Sequence, residues 1–227
     1  MIKHHPKFEL IQNFVNGELP ASIAAAIAIH AEMCPICQQK IAQLTEQVAE
    51  LSFEQEFLHK FIVDDGEDLN ALADDNFDQM ISDITALEKK EVKVLSPVST
   101  TFKGQTYQLP KVLSNMEMTN NVSLGKISRS RIPLEEGEVH TSLLHIEPGG
   151  GIPEHTHKGF EITVLLDGSF SDDEGEYHKG DFIMLDGRHQ HQPVSAEGCL
   201  CYTVANDALH FTQGINKLLN PIGSLIY

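Results

Sequence analysis

His30, Cys34 and Cys37 stand at helical spacing in the run HAEMCPIC, so one imidazole and two sulfurs could meet at a single point. Positions i, i+4 and i+7 share one side of a helix, and zinc takes nitrogen and sulfur donors of this kind. A structural zinc site needs a fourth donor, which the adjacent His4 and His5 can supply. Pro35 fits the first turn of a new helix and places Cys37 close to a helix amino terminus, where the dipole favours thiolate. CxxC alone also suits a redox pair; the histidine four residues ahead argues for metal. A second group lies further along. His155 and His157 alternate and so face one side of a strand, and Glu161 follows after a turn onto the next, so all three can enter one barrel. Cys199 and Cys201 form CxC on an expected strand, with both side chains on one face. Burial as small hydrophobes is their first reading, and a thiol pair reacting with oxidants near a metal is the second. A disulfide closed between them would be strained and labile. His140 and His145 read as strand residues, His178 as a turn residue and His210 as incidental. Arg129 and Arg131, in KISRSRIPL, read as surface ion pairs in preference to an anion site.

The elements that must position these groups change character near residue 95. Up to about Lys90 apolar residues recur at helical period, as in Ile41, Leu44, Val48 and Leu51. Gly17 and Pro20 separate a first helix from a second, Pro35 restarts the chain as a third, and a fourth is expected from about Glu67 to Glu88. After Ser96-Pro97 come short β-branched or alternating stretches with Gly-rich turns between them: Val139 to Ile146, Glu161 to Leu166, Phe182 to Leu185 and Leu200 to Val204. The expected fold class is α+β in two domains. Residues 1–93 would form an all-α bundle around a structural zinc, residues 94–104 a linker, and residues 105–227 an all-β barrel or sandwich.

The 227 residues carry a formal charge of −17, which makes DNA and anionic membrane improbable direct partners and a basic protein a plausible one. Nine acidic and no basic residues fall between Phe61 and Glu88, which suits a clamp on a basic surface. Four cysteines in two close pairs do not make a secreted disulfide scaffold. Neither a long apolar run nor a signal-peptide core is present, so a cytoplasmic location is expected.

Two resemblances sharpen this. Gly149-x5-His155-x-His157-x3-Glu161-x6-Gly168 matches the first cupin motif residue for residue, which implies a double-stranded β-helix, or jelly-roll, barrel with its own metal. Gly180-Asp181-Phe182 opens the second motif, whose histidine falls at His191; Asp186 replaces the usual proline, Gly187 is shifted by one place, and His189 is the alternative ligand. Three nitrogens and a carboxylate suit zinc, iron, manganese or nickel. The leading His-His, a first helix and then HxxxCxxC resemble the zinc-binding anti-sigma family, with His5 the better match than His4 for the fourth ligand. Together the halves are similar to anti-sigma factors of the ChrR type over nearly the whole chain. That resemblance implies a bundle that inserts between the two helical domains of an extracytoplasmic-function sigma factor. It also implies a cupin needed for response to singlet oxygen or organic peroxide, and no enzyme activity. The rival reading is a cupin metal-dependent dioxygenase or hydrolase with a helical extension.

Overall fold

Proline and glycine punctuate the amino-terminal third where their backbone chemistry demands. Helix α1 (Phe8–Val15) ends before Gly17, α2 (Ala21–Met33) starts directly after Pro20, and α3 (Pro35–Glu50) starts on Pro35 itself, where the missing N–H has no partner to lose. The structure, a computed structural model, describes residues 2–52, 75–87, 98–157, 159–206 and 210–211. Helix α4 (Asp75–Ala86) is the described part of the expected fourth helix; residues 67–74 and 88 of that expectation lie outside the described residues. Among the described residues no single helix is long and apolar enough to cross a membrane.

Strands β1 (Ser99–Phe102) and β2 (Gln105–Gln108) form a hairpin over Lys103 and Gly104, with φ of 49° and 85°, the positive values a tight two-residue turn requires. The expected linker of residues 94–104 therefore carries a strand, ordered because Phe102 is fully buried. Then follow β3 (Val122–Leu124), β4 (Ile127–Ile132), β5 (His140–Ile146), β6 (Gly150–Gly151), β7 (His155–Thr156) and the long β8 (Phe160–Asp172). The chain closes with β9 (Gly175–His178), β10 (Phe182–Asp186), β11 (Gln190–His191), β12 (Val194–Ser195), β13 (Cys199–Ala205) and β14 (His210–Phe211). The main sheet runs β3-β4-β5-β13-β8-β12-β6, with β9 and β10 also on β8, and a small sheet runs β11-β7-β14. All pairings are antiparallel, and the whole is a curled, cupin-like β domain.

Both faces of the central strands are buried. Along β13, Leu200, Tyr202 and Val204 point to one apolar cluster and Cys199, Cys201 and Ala205 to another. The second cluster, with Leu144, Leu165 and Ile183, is the inside of the barrel. The first is its outside, covered by Ala25, Ala26, Ile27 and Ile29 of α2 and by Phe102, Tyr107 and Leu113. This explains why CLCYTVA is buried at every position and does not alternate apolar with charged residues. Truncating Ile27 or Ile29, each fully buried, would cost about 2–5 kcal/mol. Tyr202 fastens the layers by donating from its hydroxyl to the Ser22 carbonyl oxygen at 3.0 Å.

Packing divides the chain into one unit of residues 1–42 with 96–227 and another of residues 43–95. The compositional change near residue 95 thus separates helix from strand, while α1 and α2 share a core with the barrel. Within the other unit, α4 exposes Met80, Ile81 and Ile84.

Candidate metal centres

The amino-terminal group is assembled from three pieces of chain. His30 comes from the last turn of α2, Cys34 caps that helix, and Cys37 sits in the first turn of α3, so the break at Pro35 turns both sulfurs toward the imidazole. His5 arrives on the extended segment before α1. One donor atom from each of His5, His30, Cys34 and Cys37 lies within 4.8 Å of all the others. His5 Nδ1 is 3.4 Å from Cys34 Sγ, 3.5 Å from Cys37 Sγ and 3.4 Å from His30 Nε2, and the last is 3.3 Å from Cys37 Sγ. The Nδ1–H of His30 donates to the Gly180 carbonyl at 2.7 Å, which leaves the Nε2 lone pair facing the sulfurs. Burial lowers the His30 pKa and so favours the neutral ring. His4 points elsewhere, its ring against Tyr177.

The expectation that the helix terminus favours a Cys37 thiolate is not met. Burial, followed by the neighbouring Cys34, pushes the Cys37 thiol up to about 11, more than the dipole can offset. Two thiolates this close would repel each other, and a cation between them removes that repulsion. The donor set therefore fits a metal ion, and two nitrogens with two sulfurs fit tetrahedral zinc.

The barrel group is built on neighbouring strands. β7 carries His155, with His157 just beyond it; β11 pairs with β7 so that His191 stands opposite His155, and β8 begins next to Glu161. Donor atoms of all four again lie within 4.8 Å of one another, and all four residues are buried. His191 Nε2 is 2.9 Å from His155 Nε2 and 3.4 Å from His157 Nε2, and Glu161 Oε2 is 2.6 Å from His157 Nε2. Behind them, His155 Nδ1–H donates to the Pro153 carbonyl at 2.8 Å, and Asp172 Oδ2 stands 3.4 Å from His191 Nδ1. Such partners fix which nitrogen faces the centre. Burial, then His191, lowers the His155 pKa to about 3, so this ring is neutral with its lone pair available. Burial alone would raise the Glu161 carboxyl, but His157, His191 and His155 outweigh it and keep it ionised. Three imidazoles and a buried carboxylate suit a divalent cation. His189 lies outside this group, paired at 2.9 Å with Asp186.

Cys199 and Cys201 are free, buried thiols on the inner face, with Cys201 opposite Leu165 and near Glu161. The hydrogen bond between them lowers the Cys199 pKa and raises that of Cys201. Arg129 is not a surface residue: it is 7% exposed and opposite Leu144 on the inner face, and burial, followed by Arg131, lowers its pKa to about 10. Strand β4 alternates serine with arginine over Ser128 to Arg131, so its inner face cannot be told from a solvent face by sequence alone. His145 is a core residue, stacked on Phe102 and 3.0 Å from the Tyr107 hydroxyl. Asp172, Gly180 and Asp181 escaped notice as supports. For Gly180 and Asp181 the signal was the Gly-Asp that opens the second motif, and Asp172 leaves none.

Fold and donor groups thus define a cupin-like protein with two groups of side chains that could each hold a metal ion, one in the barrel and one, of histidine and cysteine, near its amino terminus. Residues 116–208 match the ChrR cupin-like domain family. The chain is 24% identical to the anti-sigma-E factor ChrR of Cereibacter sphaeroides over 222 residues, 97% of each chain. It also resembles the crystal structure of Rhodobacter sphaeroides SigE in complex with the anti-sigma ChrR. That match has a TM-score of 0.64 and 22% identity, and covers 90% of this chain and 99% of the other. The likeness to ChrR-type proteins read from the motifs therefore extends across both halves.

Proposed function

We propose that this chain is an anti-sigma factor that holds an extracytoplasmic-function sigma factor through its helical part, residues 1–93, and releases it when the barrel, residues 105–227, meets singlet oxygen or an organic peroxide. The observation that carries this reading is the His5, His30, Cys34, Cys37 group in a chain that aligns over 97% of its length with an anti-sigma factor. Zinc is the metal assigned to that group. For His155, His157, Glu161 and His191 the candidates are zinc, iron, manganese or nickel, and a bound ion would supply a reactive or structural centre whose loss alters the surrounding loops. Cys199 and Cys201 are the reserve candidates for oxidation. The exposed Met80, Ile81 and Ile84 of α4, on a helix with acidic and no basic residues, offer a basic partner both apolar contact and favourable charge. A net charge of −17 argues against nucleic acid or membrane as the target, and a cytoplasmic location follows from the partner. The second reading, a cupin enzyme with a helical extension, is favoured by the four buried barrel donors; no catalytic residue is assigned under the first.

The test is co-expression of the full-length chain with the sigma factor encoded beside it, followed by capture and a sigma-dependent reporter. The wild type should hold the sigma factor and silence the reporter, Ile81→Asp with Ile84→Asp should release it, and His157→Ala should hold it but no longer respond to oxidant. A wild-type chain that captures no sigma factor sinks the proposal and leaves the enzyme reading. Normal induction in His157→Ala would move the sensor to Cys199 and Cys201.

A further inference from the structure

The helices alone do not place the donors of the amino-terminal centre. Cys34 and Cys37 are fixed by the break between α2 and α3, but His5 lies on a segment without regular structure and His30 needs a partner for its second nitrogen. Both needs are met by the corner between β9 and β10. Asp181, fully buried, accepts at Oδ1 from the backbone N–H of Lys3 at 2.8 Å and of His4 at 3.0 Å, and at Oδ2 from His178 N–H at 2.9 Å. Phe182 N–H donates to the His4 carbonyl at 3.1 Å, and the Gly180 carbonyl accepts from His30 Nδ1 at 2.7 Å. Gly180 has φ +93°, and a Cβ there would run into Ile2, so the close approach of the segment requires this glycine.

We infer that this corner of the barrel is a working part of the amino-terminal zinc centre, with Asp181 and the Gly180 carbonyl as the positioning residues that set how firmly the helical site holds its metal. The inference rests on the zinc reading above. A buried carboxylate facing three N–H donors is stable only while they are present, so it pins residues 3 and 4 and, through them, the His5 ring. The Gly180 carbonyl fixes the tautomer and angle of His30. Two of four ligands are therefore aimed by residues more than 140 positions later in the chain, and what disturbs this corner should loosen zinc. The barrel centre should be spared, because Asp181 precedes one end of β10 while Leu185, opposite Glu161, is near the other.

The experiment uses the full-length chain loaded with cobalt(II), whose thiolate charge-transfer band reports the amino-terminal centre alone, since the barrel donor set contains no sulfur. Loss of that band to a competing chelator is followed in the wild type, in Asp181→Asn and in Lys3→Pro; the last removes one N–H donor without touching the barrel. Asp181→Asn should release the thiolate-bound ion about 10–100 times more readily than the wild type. Lys3→Pro should shift in the same direction by less, and the ion without a thiolate band should be retained equally in all three. If Asp181→Asn fails to fold, Lys3→Pro decides. Wild-type retention in the folded variants would overturn the role of the corner and leave the zinc reading intact. A wild type that never develops the band would remove the zinc reading and this inference with it.

Discussion

The two metal centres use the same number of donors but are held in opposite ways. In the barrel, the β7–β11 ladder sets His191 opposite His155, His157 directly follows β7, and Glu161 lies on β8, which the main sheet holds in its own ladders. At the amino terminus the donors come from an extended segment, a helix end and a helix start, and two of the four lean on a distant corner of the sheet. A centre on a ladder keeps its shape without metal. A centre at a meeting point of segments depends on the ion to complete the junction, so it should be the one whose loss is felt as lost structure.

The strongest way to break this contrast is Cys37→Ala. If the site normally meets free zinc about a thousandfold above its Kd, losing it removes about 4 kcal/mol, or roughly 8–16 °C in Tm for a chain of this size. Metal content should fall by one ion, and amide protection should vanish around residues 2–7 and 30–37; a full zinc complement with an unchanged melt would refute the site. A pH series sharpens the same point. Because Cys37 is pushed up to about 11, zinc must displace its proton across the neutral range, so this residue alone should contribute about one decade of affinity per pH unit from pH 6 to 9, and binding should weaken on acidification. His155, with its pKa lowered to about 3, adds no such dependence to the barrel centre there. Next in size is His157→Ala, which should empty the barrel centre at a cost of about 3 kcal/mol, the stabilisation expected at a hundredfold excess over Kd. Its far-UV circular dichroism should not change, since the ladders remain; collapse of the sheet would show that both centres are structural. The smallest effect is expected from Tyr202→Phe, which deletes the bond to Ser22 and should cost about 1 kcal/mol and 2–4 °C, read by thermal melting.

Much of both donor sets is legible in the sequence because the ligands sit at local spacings. HxxxCxxC and His155-x-His157-x3-Glu161 are short-range patterns, and the helix breaks at Gly17, Pro20 and Pro35 follow from the backbone chemistry of those residues. What escaped was long-range. Nothing local distinguishes His191 from His189 until the pairing with β7 is known, and nothing near Asp181 announces that its carboxylate will accept from Lys3 and His4. The same holds for α2: an Ala- and Ile-rich helix reads equally as the core of a separate bundle or as the cover of a sheet, and it is the two-sided burial of β13 that decides. Arg129 was misjudged because alternating charge usually marks a strand facing water.

Two-sided burial of β13 also has a consequence for how the chain is made. Ser22 and Tyr202, which meet across the outer layer, are 180 residues apart in sequence. At about 5–20 residues per second, synthesis leaves α2 waiting roughly 10–40 s for the sheet it covers. During that interval its Ile27 and Ile29 have no lasting partner, and contacts of such separation form slowly even once the chain is complete. The newborn protein therefore passes through a stage in which its most apolar helix is exposed, and protection by a ribosome-associated chaperone should raise its yield more than that of a protein whose helices pack only on their neighbours.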